Sequence, residues 1–190
     1  MPLNRNLLQI SNIKISIKAK FLLNALIHFK KTKGFSKEAY SFFVHRKKRY
    51  VYTIYYSGHI NVTGLKKKYD LTRVLKYIYK IKGLLSIIQV NVDNITATGL
   101  LNQSAFDAEN QIFSTRVVKI AQCNYFDKVA YKRQCFPGAF LKNNFLGTVV
   151  LFKSGKFNIV GCKTQKEIEE LLWNFAKCIL ITKTGLNGPG

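Results

Sequence analysis

Acidic side chains are scarce here: the 190 residues hold 9 Asp and Glu against 31 Lys and Arg. So few acids leave paired-carboxylate acid–base chemistry little foothold. There are three histidines, no Ser/His/Asp grouping and no phosphate-cradling Gly-rich loop, so neither an enzyme nor a nucleotide cofactor is expected. Cysteine is equally uninformative as a ligand. Cys123, Cys135, Cys162 and Cys178 form no C-x-x-C pair and no metal-ligand spacing with His28, His45 or His59. Buried or half-buried free thiols in a reducing compartment, and no metal, are the expectation. Long apolar runs are missing too. The stretch Phe21–Phe29 is interrupted by Asn24 and His28 and precedes no small-residue cleavage site. It is too short to span a bilayer, which argues against a membrane anchor and a signal peptide.

What the chain has is positive charge on a foldable background. A net charge of +22 and a hydrophobic fraction of 47% describe a globule with a polyanionic partner, not a disordered basic tail. Nucleic acid suits this best; an anionic membrane surface or an acidic protein are the alternatives. The charge is uneven. Residues 1–86 carry 19 basic and 2 acidic side chains, and residues 87–190 carry 12 and 7.

A twelve-residue signature occurs twice, 97 positions apart, as YYSGHINVTGLK from Tyr55 and FKSGKFNIVGCK from Phe152. A repeat of this kind implies one structural unit used twice. Around it, Val51–Ile54 and Thr148–Leu151 read as strands, Ser-Gly dipeptides as turns, and Ile60–Thr63 and Phe157–Val160 as second strands. Both copies then switch to helical period, with Leu71, Val74, Leu75 and Ile78 in one and Ile168, Leu171, Leu172 and Phe175 in the other. Asp70 and Glu167 stand near the helix starts, where negative charge suits the dipole. Upstream, the strand-like stretches beginning at Ser11 and Val90 place Asn12 opposite Asn94. A short amphipathic helix is expected over about Phe21–Lys30, an extra loop or helix within 100–134, and a frayed tail over 184–190. The repeats are read as 1–86 and 87–183. The resulting class is α+β, a curved antiparallel sheet with helices on one face and the other face bare.

Those residues together resemble the TATA-binding-protein family. The most specific matches are Ile54–Gly64, Cys135-Phe-Pro-Gly138, and Leu151–Lys156 with Gly161; the resemblance spans roughly Asn12–Ile179. It implies a saddle of pseudo-two-fold symmetry whose concave face opens the DNA minor groove. The kinking mechanism is implied by the resemblance alone; composition carries no sign of it.

By the motif match, Tyr55 and Phe152 are one intercalating ring in each repeat, and Phe136 is the second ring of repeat two. Gly34–Tyr40 resembles the matching stretch of repeat one, making Tyr40 the candidate there ahead of Phe35. The bland alternative is four core side chains. Asn12 and Asn94 match the asparagines at the family's saddle centre, where their amides can donate to A N3 and T O2; capping a strand is the alternative. Thr63 and its counterpart Val160, with Asn61, Asn158 and Val150, complete the expected groove face. Lys14, Thr53 and Thr96 stand with Asn61 and Asn158 where the family sets small aliphatics, leaving Val150 as the plainly aliphatic position. Arg46, Lys47, Lys48, Arg49, Lys153 and Lys156 fit phosphate contacts, against a solvated surface as the plain reading. Arg133-Gln134-Cys135 replaces the acidic residue the family places before F-P-G, on the surface facing transcription factor IIB.

The resemblance implies a non-enzymatic transcription initiation factor that binds and bends A·T-rich double-stranded DNA. Its implied partners are factors resembling transcription factors IIA and IIB, or their replacements, and the RNA polymerase machinery. No membrane or small-molecule substrate is implied. A protein-interaction module with weak, sequence-indifferent DNA binding is the second reading, and a substrate-positioning domain of a nucleic-acid enzyme the third. Location would be the nucleus, or a cytoplasmic viral factory for a viral source.

Overall fold

The computed structural model describes residues 8–22, 25–26, 37–39, 42–101 and 110–184. The chain divides into two compact units, Asn12–Asn94 and a second made of Met1–Ser11 with Ile95–Gly190. The boundary falls inside a strand, eight residues beyond the repeat limit read from sequence.

In the Asn12–Asn94 unit the strands are β1 (Gln9–Phe21), β2 (Lys37–Ala39), β3 (Phe42–Lys47), β4 (Tyr50–Tyr55) and β5 (His59–Leu65), followed by helix α1 (Lys68–Ile78) and the start of β6 (Leu84–Leu100). They lie in the order β2-β3-β4-β5-β1-β6, and the pairs β2–β3, β3–β4, β4–β5 and β5–β1 are antiparallel. Alternation sorts each strand's side chains. Tyr50, Tyr52 and Ile54 of β4 are buried, while Val51, Thr53 and Tyr55 between them are not. Ile15, Ile17, Phe43, Ile60 and Val62 join Val74 and Ile78 of α1 in one core. Each such aliphatic side chain contributes about 1.5–3 kcal/mol by leaving water.

The second unit repeats the plan. After β6 come α2 (Asn110–Ala121), β7 (Lys128–Ala130), β8 (Gly138–Asn143), β9 (Gly147–Phe152), β10 (Lys156–Cys162) and α3 (Gln165–Thr184). Strand order is β6-β10-β9-β8-β7, again antiparallel. Phe157 of β10 meets Phe175 of α3 with ring centroids 5.2 Å apart, and Ile168 and Leu171 are buried beside them. The segment 100–134 thus holds a helix and a short strand. It supplies the helix the repeat plan calls for.

The starts of α1 and α3 are built alike. Asp70 accepts the backbone N–H of Lys66 at 2.8 Å, and Glu167 accepts that of Lys163, 97 positions on, at 2.7 Å. Thr164 caps α3 by accepting the Glu167 N–H at 3.1 Å.

Two expectations change. Phe21 ends β1 and is not the start of a helix, and most of the helix expected over Phe21–Lys30 lies outside the described residues. Tail residues 185–190 also lie outside them. Cys135 is exposed, not buried; Cys162 and Cys178 are buried, and burial first of all pushes their thiols up to about 11 and about 12. No group of metal-ligating side chains and no helix able to cross a membrane occurs among the described residues.

Candidate nucleic-acid interface

In each unit the helices take one face of the sheet. Tyr77 of α1 packs on Tyr52, at 5.1 Å between centroids, so α1 covers the face of the even-numbered β4 residues. The opposite face carries Val51, Thr53 and Tyr55, and no described helix lies on it. In the second unit α3 covers the Phe157 and Ile159 face, which leaves Asn158 and Val160 on the other.

On that open face of the second unit, Phe136 and Phe152 lie 5.9 Å apart and tilted. Phe140 stands 5.0 Å from Phe136, making a three-ring group. Gly138, directly opposite Phe152 in the β8–β9 ladder, keeps room for it: a Cβ there would come within 2.8 Å of the Phe136 ring, 3.1 Å of Val150 and 3.2 Å of Phe152. Phe136 is 38% exposed, so this is not a core ring.

The ladder register finds the corresponding position in the first unit. Phe42 is the residue opposite Tyr55, with centroids 5.5 Å apart, and so occupies the place of Gly138. Two residues before Gly138 stands Phe136; two before Phe42 stands Tyr40, the residue the motif match also selects. Tyr40 itself, like Phe35, lies outside the described residues. Phe42 and Phe140 were missed in sequence. The signal was there in the two-residue alternation that puts each on the same face as its neighbouring ring.

The polar positions assemble on the same faces. Asn61 sits opposite Thr53 and Ser16, and Thr63 opposite Val51. Asn158 sits between Thr98 and Val150, and Val160 opposite Thr148. Asn94 and Thr96 lie half-buried in β6. Asn12 uses its Oδ1 to accept the Gly64 N–H at 2.7 Å. Lys14 points its ammonium at Asp93 Oδ2, 3.7 Å away. Val44 and Val51 lie on the open face of the first unit, and Val150 and Val160 on that of the second. Each open face therefore mixes aliphatic and polar side chains.

The basic run divides between the faces. Arg46 lies opposite Val51 on the open side and is exposed; Lys48 is exposed in the β3–β4 turn, at φ 56°. Lys47 and Arg49, expected at phosphates, are turned to the helix side. The Lys47 ammonium stands 3.9 Å over the Tyr77 ring, and Arg49 donates to Asp70. Strand alternation turns Lys47 away from the face of Arg46, whereas Arg49 reaches the helix side from the β3–β4 turn, beside Tyr50. Asp70 is fully buried. Burial alone would raise its pKa, but donors from Lys66, Arg49, Tyr50 and Lys67 outweigh that and hold the carboxylate well below its usual range. Lys153 is half-buried in the second turn, and Lys156 is exposed at the start of β10.

With this geometry in hand, the comparisons are specific. The profile of the family described as "Transcription factor TFIID (or TATA-binding protein, TBP)" matches residues 89–180, from β6 into α3. Methanococcus jannaschii TBP superposes with a TM-score of 0.71 at 22% identity, over 90% of this chain and 97% of that one. This chain is similar to the TATA-binding-protein family over residues 89–180, just under half of its length. Its fold is the TBP-like α+β fold expected from the repeat. Heterotetrameric sarcosine oxidase from Corynebacterium sp. U-96 also aligns, over 92% of this chain and 84% of that one, but at 8% identity and a TM-score of 0.34, too distant to bear on function. No curated protein matches by sequence. The TATA-binding-protein family is one of non-enzymatic, DNA-binding transcription factors that engage the transcription machinery and are generally nuclear.

Proposed function

We propose that this protein is a transcription initiation factor that binds A·T-rich duplex DNA through the minor groove, bends it, and nucleates polymerase recruitment. The ring group Phe136–Phe152, set on an uncovered sheet face above Gly138, is the observation that carries the reading. Unstacking a base step costs a few kcal/mol, and a flat apolar ring restores part of it by replacing the missing stacking neighbour. Phe136 and Phe152 do this with no polar atom left unsatisfied. Tyr55, with Tyr40 as its partner, inserts less readily because a hydroxyl must keep water or a backbone group.

Asn12 and Asn94 donate to A N3 and T O2 on the groove floor, with Asn61, Asn158, Thr63, Val150 and Val160 beside them. Arg46, Lys48, Lys153 and Lys156 supply phosphate contacts, and with them affinity without sequence reading. Partners of the helix-bearing side are factors resembling transcription factors IIA and IIB or their replacements, and the polymerase machinery. The protein acts in the nucleus, or in a cytoplasmic viral factory if its source is a virus.

A circular-permutation bending assay run beside affinity measurements on A·T-rich and G·C-rich duplexes tests this. Tighter A·T-rich binding with a measurable bend is the expected result. Equal affinity and an unbent duplex would replace this reading with a protein-interaction module.

A further inference from the structure

Asp93 is an acid on a surface otherwise suited to DNA. Ser16 donates to its Oδ1 at 2.7 Å, and Lys14 lies 3.7 Å from its Oδ2. Ser16 alternates with the buried Ile15 and Ile17 and stands opposite Asn61, so it is on the open face, and the Asp93 carboxylate meets it there. The side chain keeps 30% of its exposure, and Lys14 keeps 41%. An ionised carboxylate has about four acceptor positions. Ser16 and Lys14 engage one on each oxygen, leaving capacity on both.

A carboxylate here meets an awkward partner. A·T pairs present only acceptors in the minor groove, so every lone pair of Asp93 faces another lone pair. The one donor the groove offers is the 2-amino group of guanine. We infer that Asp93 reads a G·C pair within an otherwise A·T-rich site, its carboxylate accepting the guanine 2-amino group. This rests on the minor-groove reading above and refines it. Lys14 neutralises the carboxylate so that it can be brought into the groove, and its remaining protons donate to the acceptors of a flanking A·T pair. Discrimination comes as much from repulsion at A·T as from attraction at G·C.

The test uses bases that differ in that one group. Starting from an A·T-rich duplex that is bound and bent, each pair in turn is replaced by G·C, by inosine·C, which lacks the 2-amino group, or by diaminopurine·T, which adds it to an A·T-like pair. At one position G·C and diaminopurine·T should bind about tenfold more tightly than A·T and inosine·C. Asp93→Ala should abolish that preference and, with Lys14 released, favour A·T at the same position. Asp93→Asn, which keeps an acceptor for Ser16, should lose the penalty at A·T while retaining part of the attraction. Thermal melts of both variants check that the fold persists. Intact binding and bending with no position preferring the 2-amino group, or a preference that survives in Asp93→Ala, overturns the inference and leaves the minor-groove reading standing. If no duplex is bent at all, both fall.

Discussion

The Asn12 side chain accepts the backbone N–H of Gly64 at 2.7 Å, across 52 residues of sequence. A backbone N–H can only donate, so the amide oxygen must face Gly64 and the amide nitrogen is left as the donor. This is the orientation needed to read groove acceptors. Asn12→Asp keeps the acceptor for Gly64 but replaces the donor with a charge. Affinity for A·T-rich duplex should fall by about tenfold or more, while the melting temperature stays close to the parent's. Fluorescence anisotropy and a thermal melt separate the two effects. A large drop in melting temperature with unchanged affinity would make Asn12 a structural cap only.

Gly138 and the rings above it yield a prediction about shape and not affinity. Phe136→Ala with Phe152→Ala should remove most of the bend while low-salt affinity, carried by phosphate contacts, persists. Gly138→Ala should act in the same direction more weakly, because its Cβ would press on both rings. A double variant that bends DNA like the parent would return these rings to a packing role.

Asp70 gives a stability prediction with a definite sign. Its carboxylate is buried and takes donors from Lys66, Lys67, Arg49 and Tyr50, so its pKa lies below the unfolded value. Its contribution is complete above the ordinary carboxylate pKa and is lost as pH falls through the depressed folded value. Glu167, held down first by the Lys163 N–H, acts in the same direction. Stability should therefore decline below about pH 4. Asp70→Asn should cost about 3 kcal/mol at neutral pH, or roughly 6–12 °C in melting temperature, and flatten that acid limb. Urea titrations from pH 2.5 to 7 measure both; an unchanged acid limb would exclude Asp70 as its source.

Much of this was legible in the sequence because the repeat copies local chemistry. Ser-Gly turns, the helix stripes and the acids at the helix starts are set by residues within a few positions, and each pair recurs in the structure at the 97-residue offset. Facing was less legible. The run Arg46–Arg49 reads as one basic patch in composition, yet the pleat sends Lys47 towards α1 and Arg49 reaches Asp70 from the turn. Phe42 and Phe140 were overlooked for the same reason, although counting by twos from the signature rings would have found them. Asp93 was not legible at all. Its partners Ser16 and Lys14 lie 77 and 79 residues away and meet it only once β1 and β6 are neighbours.

The two halves also differ in what their glycines tolerate. Gly64 and Gly161 occupy equivalent places and both have φ near +91°. A Cβ at Gly64 would sit 2.2 Å from the Arg49 carbonyl oxygen, whereas at Gly161 the nearest atom is the Gly147 Cα at 3.4 Å. Gly161→Ala therefore carries backbone strain alone, about 1–2 kcal/mol, while Gly64→Ala adds a backbone collision and should cost about 3 kcal/mol or more. Denaturant midpoints of the two variants make the comparison; equal destabilisation would mean the β3–β4 turn yields as easily as open space.

The division of the basic run can be read from salt dependence. Removing one phosphate-binding side chain should reduce the slope of log affinity against log salt by about 0.9. Arg46→Ala and Lys156→Ala, both on exposed open-face positions, should each show that reduction and add in combination. Lys47→Ala serves as the internal comparison, because its ammonium lies over Tyr77 on the helix side. It should leave the slope unchanged and lower stability by up to about 1 kcal/mol, since the ring no longer has a cation above it. All three variants remove one positive charge, so a general weakening of the field would lower their slopes equally. Only binding through one face separates Arg46 and Lys156 from Lys47, and an equal reduction in all three would show that the chain binds DNA through its charge and not through this surface.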